Sequence, residues 1–90
     1  MIRTIKQQHR DAGGHFFDTQ SMRFFNSRIG GIVKSDLKYI YFVTSEQFDD
    51  NSPRLYTARM FDKKTHMIED ASEFQQFKTS TQAKKFINQL

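Results

Sequence analysis

Residues 38–45 read Lys-Tyr-Ile-Tyr-Phe-Val-Thr-Ser, and they form the clearest strand pattern of the chain. Its aromatic and β-branched residues favour a pleated strand. Side chains of a strand alternate between the two faces of its sheet. One face carries Tyr39, Tyr41 and Val43, and the other carries Ile40, Phe42 and Thr44. Because neither face is polar, we predict that this strand lies centrally in a sheet.

Two further strands are predicted downstream of this one. A polar loop at residues 46–53 precedes a second strand at residues 54–61. Residues 62–65 have the composition of a hairpin loop, after which residues 66–69 return as a short strand. The order of these segments is typical of neighbouring antiparallel strands joined by short connections.

Amphipathic helices are predicted at both ends of the chain. The first has an apolar stripe at helical spacing over residues 2–12. Gly13 and Gly14 end it, because glycine adopts the left-handed conformation of a helix C-terminus without a Cβ clash. The second follows a Thr79 cap and carries an apolar stripe over residues 83–90.

The segment at residues 15–29 is open to two interpretations. Two pairs of adjacent phenylalanines, at 16–17 and 24–25, favour extended backbone in a β-hairpin. The competing interpretation makes Asp18 the N-cap of a short helix at residues 19–25. We favour the hairpin, since adjacent rings suit a sheet that is covered on one face and partly used on the other.

These elements predict a single α+β domain over residues 1–90, a length that allows one domain. It consists of an N-terminal helix, an antiparallel sheet of four to five strands and a C-terminal helix. We expect both helices to pack on one face of the sheet. The other face would then expose an aromatic patch, and such patches mark interaction sites.

The net charge of +4 originates in the first half of the chain. Residues 1–45 carry seven basic and three acidic side chains, whereas residues 46–90 are balanced. A positive field suits nucleic acid, an acidic protein surface or the anionic groove of a host enzyme, and it argues against mimicry of DNA.

Cysteine usage and hydropathy predict where the protein works. The chain has no cysteine, which excludes disulfides and thiolate chemistry and fits a reducing compartment. Its start has no apolar segment of the kind found in signal peptides, and its longest apolar cluster is too short to span a bilayer. We therefore expect a soluble protein of the cytoplasm, without membrane contact.

Catalytic patterns are weak in this sequence. The histidines His9, His15 and His66 lack the spacing of zinc motifs, so no metal and no cofactor is expected. Ser21, His15 and Asp18 are the residue types of a catalytic triad, but no glycine-rich loop that could form an oxyanion hole accompanies them. We expect a protein that is not an enzyme, and an enzyme acting through His15 and Asp18 is the third hypothesis.

Basic and aromatic side chains interleave in the chain, which is typical of binding surfaces. Six of them are predicted to contact a protein partner, namely Arg23, Arg28, Tyr39, Tyr41, Tyr56 and Arg59. For the alternative function of a single-stranded nucleic-acid-binding module, the predicted contacts are Arg3, Lys6, Arg10, Phe24 and Phe25. A homodimer formed through sheet faces would satisfy the same pattern.

Five stretches of the sequence resemble a family of small uncharacterised proteins of bacteriophages and other mobile elements. They are Gly-Gly-His-Phe-Phe-Asp (13–18), Ser-Met-Arg-Phe-Phe-Asn-Ser-Arg-Ile (21–29), Tyr-Phe-Val-Thr-Ser-Glu-Gln-Phe (41–48), Leu-Tyr-Thr-Ala-Arg-Met-Phe-Asp (55–62) and Glu-Phe-Gln-Gln-Phe (73–77). The resemblance implies a protein that binds and blocks host machinery, and it carries no catalytic residue. The leading hypothesis is a binding protein that inhibits or redirects a host factor, such as a nucleic-acid-guided defence nuclease (an anti-CRISPR or anti-restriction inhibitor).

Overall fold

The computed structural model describes residues 2–90, which form an antiparallel sheet with helices before and after it. The helices are α1 (Ile2–Asp11), α2 (Thr19–Phe24) and α3 (Ser80–Asn88), and the strands are β1 (Arg28–Ser35), β2 (Tyr39–Glu46), β3 (Leu55–Asp62) and β4 (Ile68–Asp70). The four strands lie side by side in chain order, each antiparallel to its neighbour. The predicted α+β class, the four-stranded sheet and both terminal helices are confirmed. No helix among residues 2–90 has the length and apolarity needed to cross a membrane.

The hairpin predicted for residues 15–29 is wrong, and the competing helix is correct. Asp18 is the N-cap residue of α2. Phe16 and Phe17 precede α2 in a turn, where side chains need not alternate as they do in a strand. Both rings can therefore pack inward, in contact with Phe42 of β2.

Strand β1 contains two adjacent glycines. Its pairing with β2 is irregular between Ile29 and Ile32, where Gly30 and Gly31 lie. A Cβ atom added to Gly30 would stand 3.0 Å from the carbonyl oxygen of Val43. Glycine at this position thus allows close approach of two backbones, a known reason for glycine inside a strand.

The terminal helices pack on opposite faces of the sheet, which corrects the expectation that both lie on one face. Ala83 and Ile87 of α3 form a buried cluster with β2 and β3 residues that include Val43. Ile5 of α1 packs on the other face, against Phe42. Because β2 is apolar on both faces, each face needs its own cover.

Local hydrogen bonds at the helix ends explain why these elements begin and end where they do. The Thr79 hydroxyl accepts the Gln82 N–H at 3.1 Å, so the predicted cap of α3 is confirmed. At the end of α1, the buried His9 ring bonds the His66 carbonyl oxygen at 2.7 Å through Nδ1. Its Nε2 accepts the Phe16 N–H at 3.3 Å. His9 therefore joins α1 to the β3–β4 turn.

Candidate interaction surface

The tyrosines predicted to contact a partner lie on the sheet face that α3 covers. Tyr41 is buried, and Tyr39 and Tyr56 are half-buried beside the α3 cluster. The Tyr41 hydroxyl donates to Asp36 at 3.1 Å, and burial, followed by this carboxylate, raises the pKa of Tyr41. The open aromatic sheet face expected from the sequence is therefore absent from the described residues.

Arg59, also predicted as a contact residue, is a buried part of the fold with 8% of its surface exposed. Its Nε donates to the Thr44 hydroxyl at 3.0 Å, and one terminal nitrogen donates to Glu46 at 3.3 Å. The other terminal nitrogen donates to Asp70. Each polar group of the guanidinium that faces inward is thus satisfied, which is what burial of a charge requires.

An exposed cluster of four aromatic rings, which we call the phenylalanine patch, lies elsewhere on the surface. It consists of Phe24, Phe25, Phe48 and Phe74. The Phe25 ring is central, with its centroid 4.5 Å from Phe24, 5.0 Å from Phe48 and 5.2 Å from Phe74. Phe24 is 76% exposed, Phe48 is 60% exposed and Phe74 is 40% exposed. The patch is the candidate functional site.

Backbone hydrogen bonds fix the segment that carries Phe24 and Phe25. The Gln47 N–H donates to the Phe25 carbonyl oxygen at 2.8 Å, so the end of α2 is attached to the end of β2. Arg54 donates to the Asn26 carbonyl oxygen at 2.9 Å. Asn26 holds a left-handed backbone with φ of 46°. This turn places the Phe25 ring against Phe48.

A second set of hydrogen bonds fixes the segment that carries Phe74. Gln75, the next residue, also has a left-handed backbone, with φ of 57°. Its N–H donates to the Thr57 hydroxyl at 2.8 Å, and its side-chain amide donates to the Glu46 carbonyl oxygen at 2.9 Å. The Phe74 ring lies 5.7 Å from the guanidinium carbon of Arg59. The buried network around Arg59 therefore supports one side of the phenylalanine patch.

Sequence reasoning found half of this patch. Phe24 and Phe25 were predicted contacts for nucleic acid, and both lie in it. Phe48 and Phe74 were missed, because each is a lone aromatic residue in a polar segment distant in sequence from Phe25. Both residues could have been found from their neighbours. Each phenylalanine is flanked by an acidic and an amide residue, and neither belongs to the apolar stripe of a predicted strand or helix.

The basic residues predicted to contact a protein partner and those predicted to contact nucleic acid lie on different elements. Arg23 and Arg28 are exposed and border, in the chain, the segment that carries Phe24 and Phe25. Arg3, Lys6 and Arg10 follow one another along α1 and line a groove together with Ile2 and Gln7.

The side chains of the catalytic hypothesis meet, but they form an open surface pair. His15 Nδ1 lies 2.8 Å from Asp18 Oδ2, with 81% of the His15 side chain exposed. The Ser21 hydroxyl donates to the His15 carbonyl oxygen, so its hydrogen is not directed at the His15 imidazole. Among residues 2–90, no group of three potential ligands could hold a metal ion.

The fold and the site define a small α+β protein with a preorganised aromatic surface. The chain belongs to a family of unknown function, DUF7447, whose family model matches residues 1–88. No curated protein and no solved structure matches the sequence.

Proposed function

We propose that this protein is a non-enzymatic binding protein that inhibits or redirects a host factor, with the phenylalanine patch as its contact surface. The observation that supports the proposal most is the convergence of four rings from three separate segments, with three rings at least 40% exposed. Folding alone gives no reason to expose them, since burial of one such ring is worth about 1.5–3 kcal/mol.

The size of the patch suits the centre of an interface. With roughly 200 Å² of surface for each phenylalanine, the three exposed rings offer about 350 Å² of apolar area. Functional patches of soluble monomers are about 300–600 Å², whereas a standard interface buries about 800 Å² on each partner. The patch would therefore supply the apolar anchors, and polar residues around it would complete the contact.

Polar groups suited to this role lie next to the rings. Asn26, Gln47 and Arg54 are joined by hydrogen bonds of 2.9–3.4 Å at the patch border. Arg23 and Arg28 are exposed on either side of the Phe24 segment. Arginine and aromatic residues are enriched in interfaces, so this composition favours a protein partner.

Rigidity of the patch also supports binding. Left-handed backbones of residues other than glycine are uncommon and cluster at functional sites. Two of them, Asn26 and Gln75, directly follow patch residues and are held by hydrogen bonds, Asn26 to Arg54 just before β3 and Gln75 to Thr57 of β3. A surface that is ordered before binding loses less conformational entropy when it binds.

Affinity capture from a lysate of the host tests the proposal. The bait is the whole chain, compared with the double variant Phe24→Ser/Phe48→Ser and with Leu37→Ser as a control. Leu37 is 98% exposed and lies outside the patch, so the control removes an apolar side chain that is more exposed than Phe24 or Phe48. Nuclease treatment of a parallel lysate separates a protein partner from one bridged by nucleic acid.

We expect a stoichiometric protein partner that is retained by wild type and by Leu37→Ser after nuclease treatment, and lost by the double variant. Purified partner should then bind wild type at least ~10-fold more tightly than the double variant, as expected for loss of about 1.4 kcal/mol or more at hot-spot rings. Recovery of the same partner by all three baits, or of none by wild type, would refute the proposal. Unchanged thermal unfolding of the double variant verifies that its fold is intact.

A further inference from the structure

Three basic side chains form a row along one flank of α1, beside its buried face, which we call the α1 basic row. It consists of Arg3, Lys6 and Arg10, and its ends are seven positions apart, or about 10 Å along the helix axis. Arg3 and Arg10 are exposed, and Lys6 is half-buried. Together with Ile2 and Gln7, these side chains line a shallow groove of about 390 Å³.

The positive charge of this row is not neutralised within the molecule. Among residues 2–90, the basic side chains with a carboxylate within 4.0 Å are Arg59 and His15. The acidic residue of α1, Asp11, accepts a hydrogen bond from the Gln7 side chain at 2.8 Å. The α1 basic row therefore presents three unpaired cations to solvent.

The position of α1 on the sheet restricts what can bind there. Ile5 and His9 of the same helix are buried against the sheet, so α1 cannot insert an apolar face into a membrane. The row also lacks exposed aromatic side chains, which usually anchor protein interfaces. A regular line of cations without such anchors matches the regularly spaced charges of a phosphodiester backbone.

We propose that the α1 basic row binds the phosphate backbone of a nucleic acid, independently of the phenylalanine patch. Each cation would neutralise a phosphate and release a condensed counterion. The contact would position the protein on the strand without reading its sequence, because phosphate contacts carry no base information. A protein that docks on a nucleoprotein target could thus use two separate surfaces.

Fluorescence anisotropy with labelled oligothymidylate, and with a labelled duplex in a parallel series, tests this proposal. The variant is Arg3→Gln/Lys6→Gln/Arg10→Gln. The control is Lys78→Gln/Lys84→Gln/Lys85→Gln, which removes the same charge from exposed residues near and in α3. Titrations with poly-glutamate and with anionic phosphatidylserine vesicles measure attraction to other anions.

Three phosphate contacts predict that wild-type affinity for the single strand falls roughly 20-fold between about 50 and 200 mM salt, or roughly 40-fold for the duplex. The α1 variant should bind at least ~10-fold more weakly than the control at the lower salt concentration, with a salt slope about two units smaller. The proposal is overturned if wild type fails to bind either nucleic acid, or if the two variants lose affinity equally. Binding of poly-glutamate or vesicles as tightly as of nucleic acid, with the same dependence on the row, would also overturn it.

Discussion

The guanidinium of Arg59 donates a hydrogen bond of 3.3 Å to the carboxylate of Glu46, whose side chain is 1% exposed. Glu46 accepts a second bond from the Thr57 hydroxyl at 2.8 Å. Gln75, next to Phe74, donates to the Glu46 carbonyl oxygen at 2.9 Å, and the guanidinium carbon of Arg59 lies 5.7 Å from the centre of the Phe74 ring. The ion pair is therefore a structural support of the phenylalanine patch.

Replacement of Arg59 should destabilise the protein more than replacement of Glu46. Arg59→Met leaves the buried carboxylate of Glu46 with the Thr57 hydroxyl alone, and an uncompensated buried charge costs about 3–5 kcal/mol. Glu46→Gln leaves Arg59 its bonds to Asp70 and Thr44, so we expect a loss of about 1.5–3 kcal/mol, the range for one charged hydrogen bond. Urea denaturation measures both free energies of unfolding.

The double variant Arg59→Met/Glu46→Gln completes a thermodynamic cycle. It should lose less stability than the two single variants together, because the stranded carboxylate is gone. An Arg59→Met loss no larger than that of Glu46→Gln would contradict the structural role assigned to the pair.

Gly14→Ala should destabilise the fold through His9. An added Cβ would lie 2.1 Å from Cε1 of the His9 imidazole, which must then leave its bonds to His66 and Phe16. Overpacking together with lost buried hydrogen bonds predicts a loss of about 2–4 kcal/mol in the free energy of unfolding. Gly31→Ala is the matched control, since no atom lies within 4 Å of its added Cβ. Equal melting temperatures of the two variants would argue against the His9 contact.

The aspartates of two turns should make stability depend on acidic pH. Asp36 accepts the N–H groups of Tyr39 and Lys38, which lower the pKa of this carboxyl below its ordinary 3.8. A carboxyl whose pKa is lower in the folded state stabilises the fold above the unfolded pKa, and this contribution disappears as pH falls through the folded pKa. The pKa of Asp62 is lowered in the same way by the N–H groups of Thr65 and Lys64.

We therefore expect the free energy of unfolding to decrease as pH falls below 3.8, and Asp36→Asn to decrease less steeply than wild type. Asp50→Asn serves as the control, because Asp50 is an exposed residue of the loop between β2 and β3. Urea denaturation over a series of pH values measures the slopes. If Asp36→Asn and wild type had parallel pH profiles, the turn hydrogen bonds would not stabilise the charged form.

Several elements could be predicted because their determinants are local. The alternation in β2 and the cap at Thr79 depend on neighbours within one strand or one helical turn. The short helix α2 was harder, since the phenylalanine pairs at residues 16–17 and 24–25 fit a strand as well as a turn and a helix. In the structure Phe16 and Phe17 pack on Phe42, and Phe25 packs on Phe48 and Phe74, so the contacts of both pairs involve residues distant in sequence.

The class of fold and the basic first half of the chain could be predicted before folding, because periodicity and charge are properties of nearby residues. The tertiary structure alone decided that α1 and α3 cover opposite faces of the sheet, and that Arg59 is buried. It also decided that Phe48 and Phe74 join Phe25 in one exposed patch. Contacts between residues so distant in sequence depend on strand order and turn geometry, and no local pattern in the chain encodes them.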